Sequence, residues 1–212
     1  MYLKWDEKTI TDFSDQNINT LYEQGYVFTR VGPGVINQTR SVRVDLKKFA
    51  LSSENRRILK KTEEIKMHPA PLPLSDYDWM VGKMGKDFYE KKFAEKTFSA
   101  NKIKELLTDE KRSNFNLLLN YSGLGYAICR ETDKILHYSY PFYNLAKSPK
   151  DTGLGMMIRA IKWAKEQEKK YIYLGSAVRP TDTYKLQFKG VEWFDEKNWS
   201  ENLEKLKKVL MV

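Results

Sequence analysis

Apolar residues recur along this chain in two rhythms, one of period two and one of period 3.6, and the changes of rhythm divide it into elements. Gly25 to Arg30 (GYVFTR) and Ser41 to Leu46 (SVRVDL) have the alternating, β-branched look of strands, and the turn-rich Val31 to Gln38 between them predicts a hairpin. Ser52 or Ser53 then caps a helix running to about Glu64. Ile58, Leu59 and Ile65 lie on one side of it, while Arg56, Arg57, Lys60 and Lys61 share an arc of roughly 140 degrees at 3.6 residues per turn. Glu64 falls inside that arc, so a plainly solvated face stands beside the reading of a binding surface. Pro69, Pro71 and Pro73 exclude a helix over Met67 to Asp78 and predict an extended connector. This is the best boundary, separating a small N-terminal α/β subdomain (1–70) from a larger domain (71–212).

Beyond the connector, Gly85 to Phe98 and Ala100 to Leu107 read as helices. Strands follow at Asn114 to Tyr121, Gly125 to Arg130 and Ile135 to Phe142, with turns at Ser122-Gly123 and Thr132-Asp133 that predict an antiparallel meander. Thr152 to about Glu168 carries Leu154, Met157, Ile158, Ile161 and Ala164 as one stripe, a helix leading into a strand at Tyr171 to Leu174. A helix that joins two strands of one sheet makes them parallel with a right-handed crossover. Pro141 interrupts the earlier strand of that pair, which marks an edge or a bulge. A bulged strand parting from its parallel neighbour exposes backbone N–H groups able to hold an acyl carbonyl and its oxyanion; an irregular edge without chemistry is the alternative. The chain closes on a helix from Ser200 to Leu210. The fold class that results is α+β: a mixed, mostly antiparallel sheet with one splayed parallel strand pair, flanked by helices.

Composition sharpens this picture. With 212 residues, 41% hydrophobic and 13% aromatic, the chain buries a real core. No apolar run approaches the 18 or so residues of a membrane span, and the opening MYLKWDEKTITDF lacks the layout of a signal peptide. The expectation is a cytoplasmic protein with no membrane partner. The single cysteine, Cys129, excludes an internal disulfide and any Cys-based metal centre within the chain, and reads as a small core residue. No metal site is assigned. Formal charge is +9 and uneven: residues 1–25 hold two Lys and five acids, a net of −3, which leaves +12 on the rest. A basic body favours a polyanionic partner through counterion release, nucleic acid above all.

Two segments carry candidate chemistry. Lys150 to Gly155 (KDTGLG) resembles the pyrophosphate-binding loop of GNAT acetyltransferases, with Lys150 in the first position and Gly153 and Gly155 at a helix start, where backbone N–H groups can approach a phosphate. A Gly-x-Gly before a helix is more often simple loop geometry. His137 and His68 are assigned no role.

The second segment belongs to an ordered set. Tyr140-Pro141-Phe142-Tyr143-Asn144, Gly153-Leu154-Gly155 with Trp163-Ala164, Tyr171-Ile172-Tyr173-Leu174-Gly175, Tyr184-Lys185-Leu186-Gln187-Phe188, and Glu192 before Trp199 resemble the C-terminal half of arginyl-tRNA protein transferases and their bacterial leucyl relatives. Val42-Arg43-Val44, Phe49 and Ser53 to Leu59 are similar to the first half of that family. The likeness spans roughly residues 26–64 and 84–199. One departure is plain. Where the family carries its Cys-x-x-Cys-like cluster, near Gly32 to Thr39, this chain has Gly-Pro-Gly-Val-Ile-Asn-Gln-Thr, and Asn144 replaces an acidic residue.

The resemblance implies a GNAT-like acyltransferase fold and transfer of an amino acid, arginyl or leucyl, from tRNA to the N-terminal α-amine of a protein or peptide. Aminoacyl-tRNA is then a co-substrate and no cofactor is needed. It implies Tyr143, Tyr184 and Asp182 as catalytic residues, with Tyr140, Asn144, Lys185 and Glu192 binding substrate. In this reading aromatics stack on the terminal adenosine, Lys185 contacts phosphate, and Asp182 or Glu192 receives a cationic amino group. Arg43, Arg56, Arg57, Lys60 and Lys61 would contact tRNA. The alternatives are a coenzyme A-dependent N-acetyltransferase using acetyl-CoA at Lys150 to Gly155, and a non-catalytic RNA-binding relative.

Overall fold

A computed structural model describes residues 3–211. In chain order the elements are β1 (Asp6–Thr9), α1 (Asp15–Glu23), β2 (Tyr26–Phe28), β3 (Val35–Gln38), β4 (Ser41–Asp45), α2 (Ser53–Lys61), β5 (His68–Pro71), α3 (Trp79–Lys92) and α4 (Ala100–Thr108). They continue with β6 (Leu117–Tyr121), β7 (Gly125–Glu131), β8 (Ile135–Tyr143), α5 (Thr152–Glu166), β9 (Tyr171–Ser176), β10 (Val191–Phe194), β11 (Trp199–Ser200) and α6 (Leu203–Leu210); a 3-10 helix spans Pro180–Gln187. The chain divides into two compact units. The first is built from Met1–Ser53, Glu131–His137 and Ile161–Val212, the second from Glu54–Arg130 and Tyr138–Ala160.

In the first unit, β1, β3 and β2 form an antiparallel sheet in that order, and a second set of strands runs β11-β10-β4-β9 to the opening residues of β8. The expected hairpin between Gly25–Arg30 and Ser41–Leu46 is not formed. Tyr26–Phe28 pairs instead with Val35–Gln38, and β4 pairs with β10 on one side and β9 on the other. The stretch expected to be a turn contains a strand because the reversal closes earlier, at Gly34, whose φ of 73° suits glycine. Helix α1, in the acidic leader where the pattern predicts no element, is capped by Ser14 Oγ accepting from Asn17 N, and buries Ile18, Leu21 and Tyr22 at helical spacing.

The parallel pair appears as predicted. Ile135, Leu136 and His137 of β8 face Tyr171, Ile172 and Tyr173 of β9, with α5 connecting the two strands. Pairing ends at Tyr173, while β9 continues to Ser176 and β8 to Tyr143. Pro141, which has no N–H to donate, lies past the last residue of β8 that pairs with β9.

In the second unit, β8 continues beside β7, followed by β6 and β5, with β5–β6 and β6–β7 antiparallel. The proline connector thus supplies β5, an edge strand, where Pro69 and Pro71 are tolerated. Asp78 caps α3 through Met80 N at 2.8 Å, and Ser99 caps α4 through Lys102 N at 3.1 Å. Phe88, Ile103, Leu106, Leu107, Leu119, Tyr121, Ile128, Cys129, Phe142 and Ile158 are all buried. No helix of the described residues is long and apolar enough to cross a membrane.

Candidate active site at the end of strand β9

Strand β9 leaves its parallel partner after Tyr173, and Gly175 turns it with φ at 77°. The 3-10 helix that follows carries Asp182, Tyr184 and Lys185, three of the residues nominated by sequence, on a single turn-rich element. Asp182 is buried, and its oxygens are occupied. Oδ2 accepts from Val178 N at 2.9 Å and Arg179 N at 2.8 Å, and Oδ1 accepts from Arg179 Nη2 at 3.3 Å. Burial opposes its charge, but Lys185, these backbone donors and Arg179 prevail and hold its carboxyl below the ordinary range. The carboxylate therefore caps the 3-10 helix and shapes the loop.

Lys185 is only 8% exposed. Its Nζ donates to Ser176 O at 2.7 Å, closing the end of β9. Burial lowers its pKa to about 8, opposed by Asp182 and reinforced by Arg179. The Tyr184 ring beside it is 46% exposed, with its centroid 5.7 Å from Nζ. An exposed aromatic face next to a buried amine is what a nucleotide-handling surface needs: a plane for a base and a donor for an oxygen.

On the next strands inward, Arg43 gathers the remaining acids. Its guanidinium lies 3.7 Å from the centroid of Tyr171 and 3.8 Å from that of Trp199, so the cation is sandwiched between two rings. Nε donates to Glu192 at 2.9 Å, and Nη1 donates to Glu23 at 2.8 Å and to Tyr173 OH at 3.2 Å. Burial works against the charge, but Tyr173 and Glu23 hold the arginine's pKa above its ordinary value. Arg43, nominated as a tRNA contact, is 4% exposed and lies buried in this cluster. Glu192 is likewise engaged, by Arg43 and by Lys48 at 3.7 Å. Sequence reasoning missed Glu23, Tyr171 and Trp199 as partners of Arg43, since nothing local ties an acid in α1 to a strand 20 residues on.

His137, at the last position of β8 paired with β9, is buried, and its Nδ1 shares a hydrogen bond with Tyr22 OH at 2.9 Å. The same hydroxyl accepts from Phe28 N at 3.1 Å. Burial, then the charge of Lys185, pushes its pKa down to about 3.

The other nominated residues lie in the second unit. Tyr140 is half-buried and meets Phe98 and Phe115 edge-on, at 5.3 and 5.4 Å. Tyr143 packs 4.9 Å from Phe88, and burial raises its pKa. Asn144 closes a turn: its Oδ1 accepts from Ala146 N at 3.0 Å and Lys147 N at 3.1 Å. In the Lys150 to Gly155 loop, both glycines have packing reasons. A Cβ at Gly155 would lie 2.5 Å from Thr62 Oγ1, and one at Gly153 would lie 3.0 Å from the Tyr143 ring. Lys150 is exposed, as are Arg56, Arg57, Lys60 and Lys61 on α2. Arg57 Nε donates to Glu54 at 2.6 Å, and Lys61 lies 3.6 Å from Asp151.

No family model matches the chain, and no curated protein matches it. Among solved structures it is similar to L-PGS from Bacillus licheniformis, at 14% identity, covering 92% of this chain and 70% of that one, with a TM-score of 0.50. It is also similar to the C-terminal domain (DUF2156) of a putative lysylphosphatidylglycerol synthetase from Agrobacterium fabrum, at 14% identity over 80% of this chain and 54% of that one, TM-score 0.48. A third likeness is to a GCN5-related glucosamine N-acetyltransferase region of a fungal multi-domain GH3 β-N-acetylglucosaminidase, at 8% identity over 91% and 23% of the two chains, TM-score 0.47. At these identities the likeness bears on the fold alone: a mixed α+β, GNAT-like fold with a mostly antiparallel sheet.

Proposed function

We propose that this chain is an aminoacyl-tRNA-dependent transferase, moving an amino acid from charged tRNA to the α-amine of a protein or peptide N-terminus. The observation that carries the reading is the pairing of the exposed Tyr184 ring with the buried Lys185 amine at the end of β9. The GNAT-like fold supports acyl transfer in general. The ordered resemblance to arginyl and leucyl transferases and the net charge of +9 favour tRNA as the carrier of the acyl group.

The chemistry asks little of the protein. An aminoacyl ester is already activated, so a transferase has to align a neutral amine with the carbonyl, accept a proton and stabilise the oxyanion. Tyr184 offers a stacking face for the terminal adenosine, and Lys185 a donor for an oxygen of the donor nucleotide. No covalent nucleophile is required, which agrees with Cys129 being buried.

A filter assay with charged tRNAs and peptides of different N-termini, run beside acetyl-CoA, tests the reading. Transfer from an aminoacyl-tRNA is expected, and Tyr184→Ala should lower kcat/KM by about 10- to 100-fold, the worth of one base stacked on an aromatic ring. Failure with every charged tRNA overturns the proposal, and transfer from acetyl-CoA alone replaces it with an N-acetyltransferase.

A further inference from the structure

The end of β9 combines three features that narrow what the Lys185 amine can hold. Among the described residues, a Cβ at Gly175 would meet Lys185 Nζ, at 3.9 Å, and no other atom within 4 Å beyond the adjoining residues, so the backbone there is open over the amine. Lys185 is buried, yet of the three N–H donors an ammonium carries, one has a partner among the described residues, Ser176 O. The acids that sequence nominated to receive a cation are both engaged: Asp182 by two backbone amides and Arg179, Glu192 by Arg43 and Lys48. What the described residues present at the opening over Gly175 is a positive charge with donors to spare, while the two nominated carboxylates, Asp182 and Glu192, are already engaged.

We infer that the opening over Gly175 is an anion subsite, in which the Lys185 amine holds a phosphate or carboxylate oxygen and turns away a cationic group. The consequence for the transferase, which rests on the function proposed above, is a donor whose aminoacyl side chain is neutral and not a guanidinium. A guanidinium brought to Lys185 meets like charge at low dielectric, whereas an anionic oxygen gains charge-assisted hydrogen bonds.

Calorimetric titration with two matched pairs tests the subsite directly: adenosine 5′-monophosphate against adenosine, and N-acetylleucine against its amide. The anionic member of at least one pair should bind about tenfold or more tightly than its neutral counterpart, the size of a charged hydrogen bond. The pair that shows the preference identifies the oxygen as phosphate or carboxylate. Lys185→Met should abolish the preference and Lys185→Arg should retain it, with circular dichroism checking that both variants are folded. The preference should fade as pH rises past about 8, where Lys185 loses its proton. Equal binding within both pairs, or a preference that survives in Lys185→Met, overturns the subsite. In the transfer assay, leucyl-tRNA should exceed arginyl-tRNA by about tenfold in kcat/KM, the size of one charged contact, and Lys185→Met should narrow the gap. Anion preference without any transfer removes the transferase and leaves the subsite standing; transfer with no anion preference does the reverse.

Discussion

Arg43 shows how a residue's neighbours decide its work. A sequence places an arginine in a strand of a basic protein and suggests a phosphate contact; the structure surrounds the same guanidinium with Tyr171, Trp199, Glu192, Glu23 and Tyr173. Removing one partner of a buried ion pair leaves the other charge without compensation, here Glu192 at 8% exposure. Arg43→Ala should therefore destabilise the fold by about 3 kcal/mol or more. Glu192→Ala in the Arg43→Ala background should add far less than it does alone, since the two act as one unit. Urea unfolding of the four proteins of this cycle measures both effects. Additive losses would show that the pair is not coupled. Lys185 presents the opposite case: a buried cation with one hydrogen bond is a feature that stability alone does not favour.

At the scale of elements, local pattern carried much and pairing little. Helix α5, strand β9 and their parallel partner β8 were legible because a 15-residue amphipathic stripe between two apolar runs admits few other arrangements. Strand β4 was legible as a strand, but its partners β9 and β10 stand more than 100 residues away, and no periodicity names a partner. Strand β10 escaped notice because Val191–Phe194 is buried at every position and so shows no alternation. The candidate site divides the same way. Tyr184 and Lys185 came from one local motif, whereas the engagement of Asp182 and Glu192 depends on loop geometry and on long-range strand pairing.

Helix α2 tests whether a basic face is a binding surface. Its four cations are exposed, but Arg57 is paired with Glu54 one turn earlier. If tRNA binds along this face, Glu54→Gln should strengthen binding by releasing Arg57. Arg56→Ala with Arg57→Ala should weaken it and flatten the plot of log affinity against log salt by about 1 for each phosphate no longer neutralised. Filter binding at several salt concentrations reads both. Identical slopes in all variants would assign α2 to the solvent.

For the molecule as a whole, the two buried bases set how stability depends on pH. His137 has a folded pKa of about 3 against an ordinary 6.5. Below pH 6.5 the unfolded chain takes up a proton that the folded chain refuses, so stability present above 6.5 is lost as pH falls toward 3. Lys185 has a folded pKa of about 8 against 10.5. Between those values the unfolded chain again binds more protons, so stability rises with pH there and levels off above 10.5. A difference of this size corresponds to about 3 kcal/mol for a fully buried amine. The expected profile climbs from acid to pH 6.5, runs flat to 8 and climbs again toward 10.5. Relief of the net charge of +9 would also steepen the alkaline limb, and one variant separates the two causes. Lys185→Met removes the buried titration while leaving the surface lysines in place. It should raise stability at pH 7 and flatten the rise above pH 8, as followed by urea unfolding at pH 5, 7 and 9.5. An alkaline limb unchanged in Lys185→Met would place the effect in the overall charge, and Lys185 would then titrate as a solvated amine does.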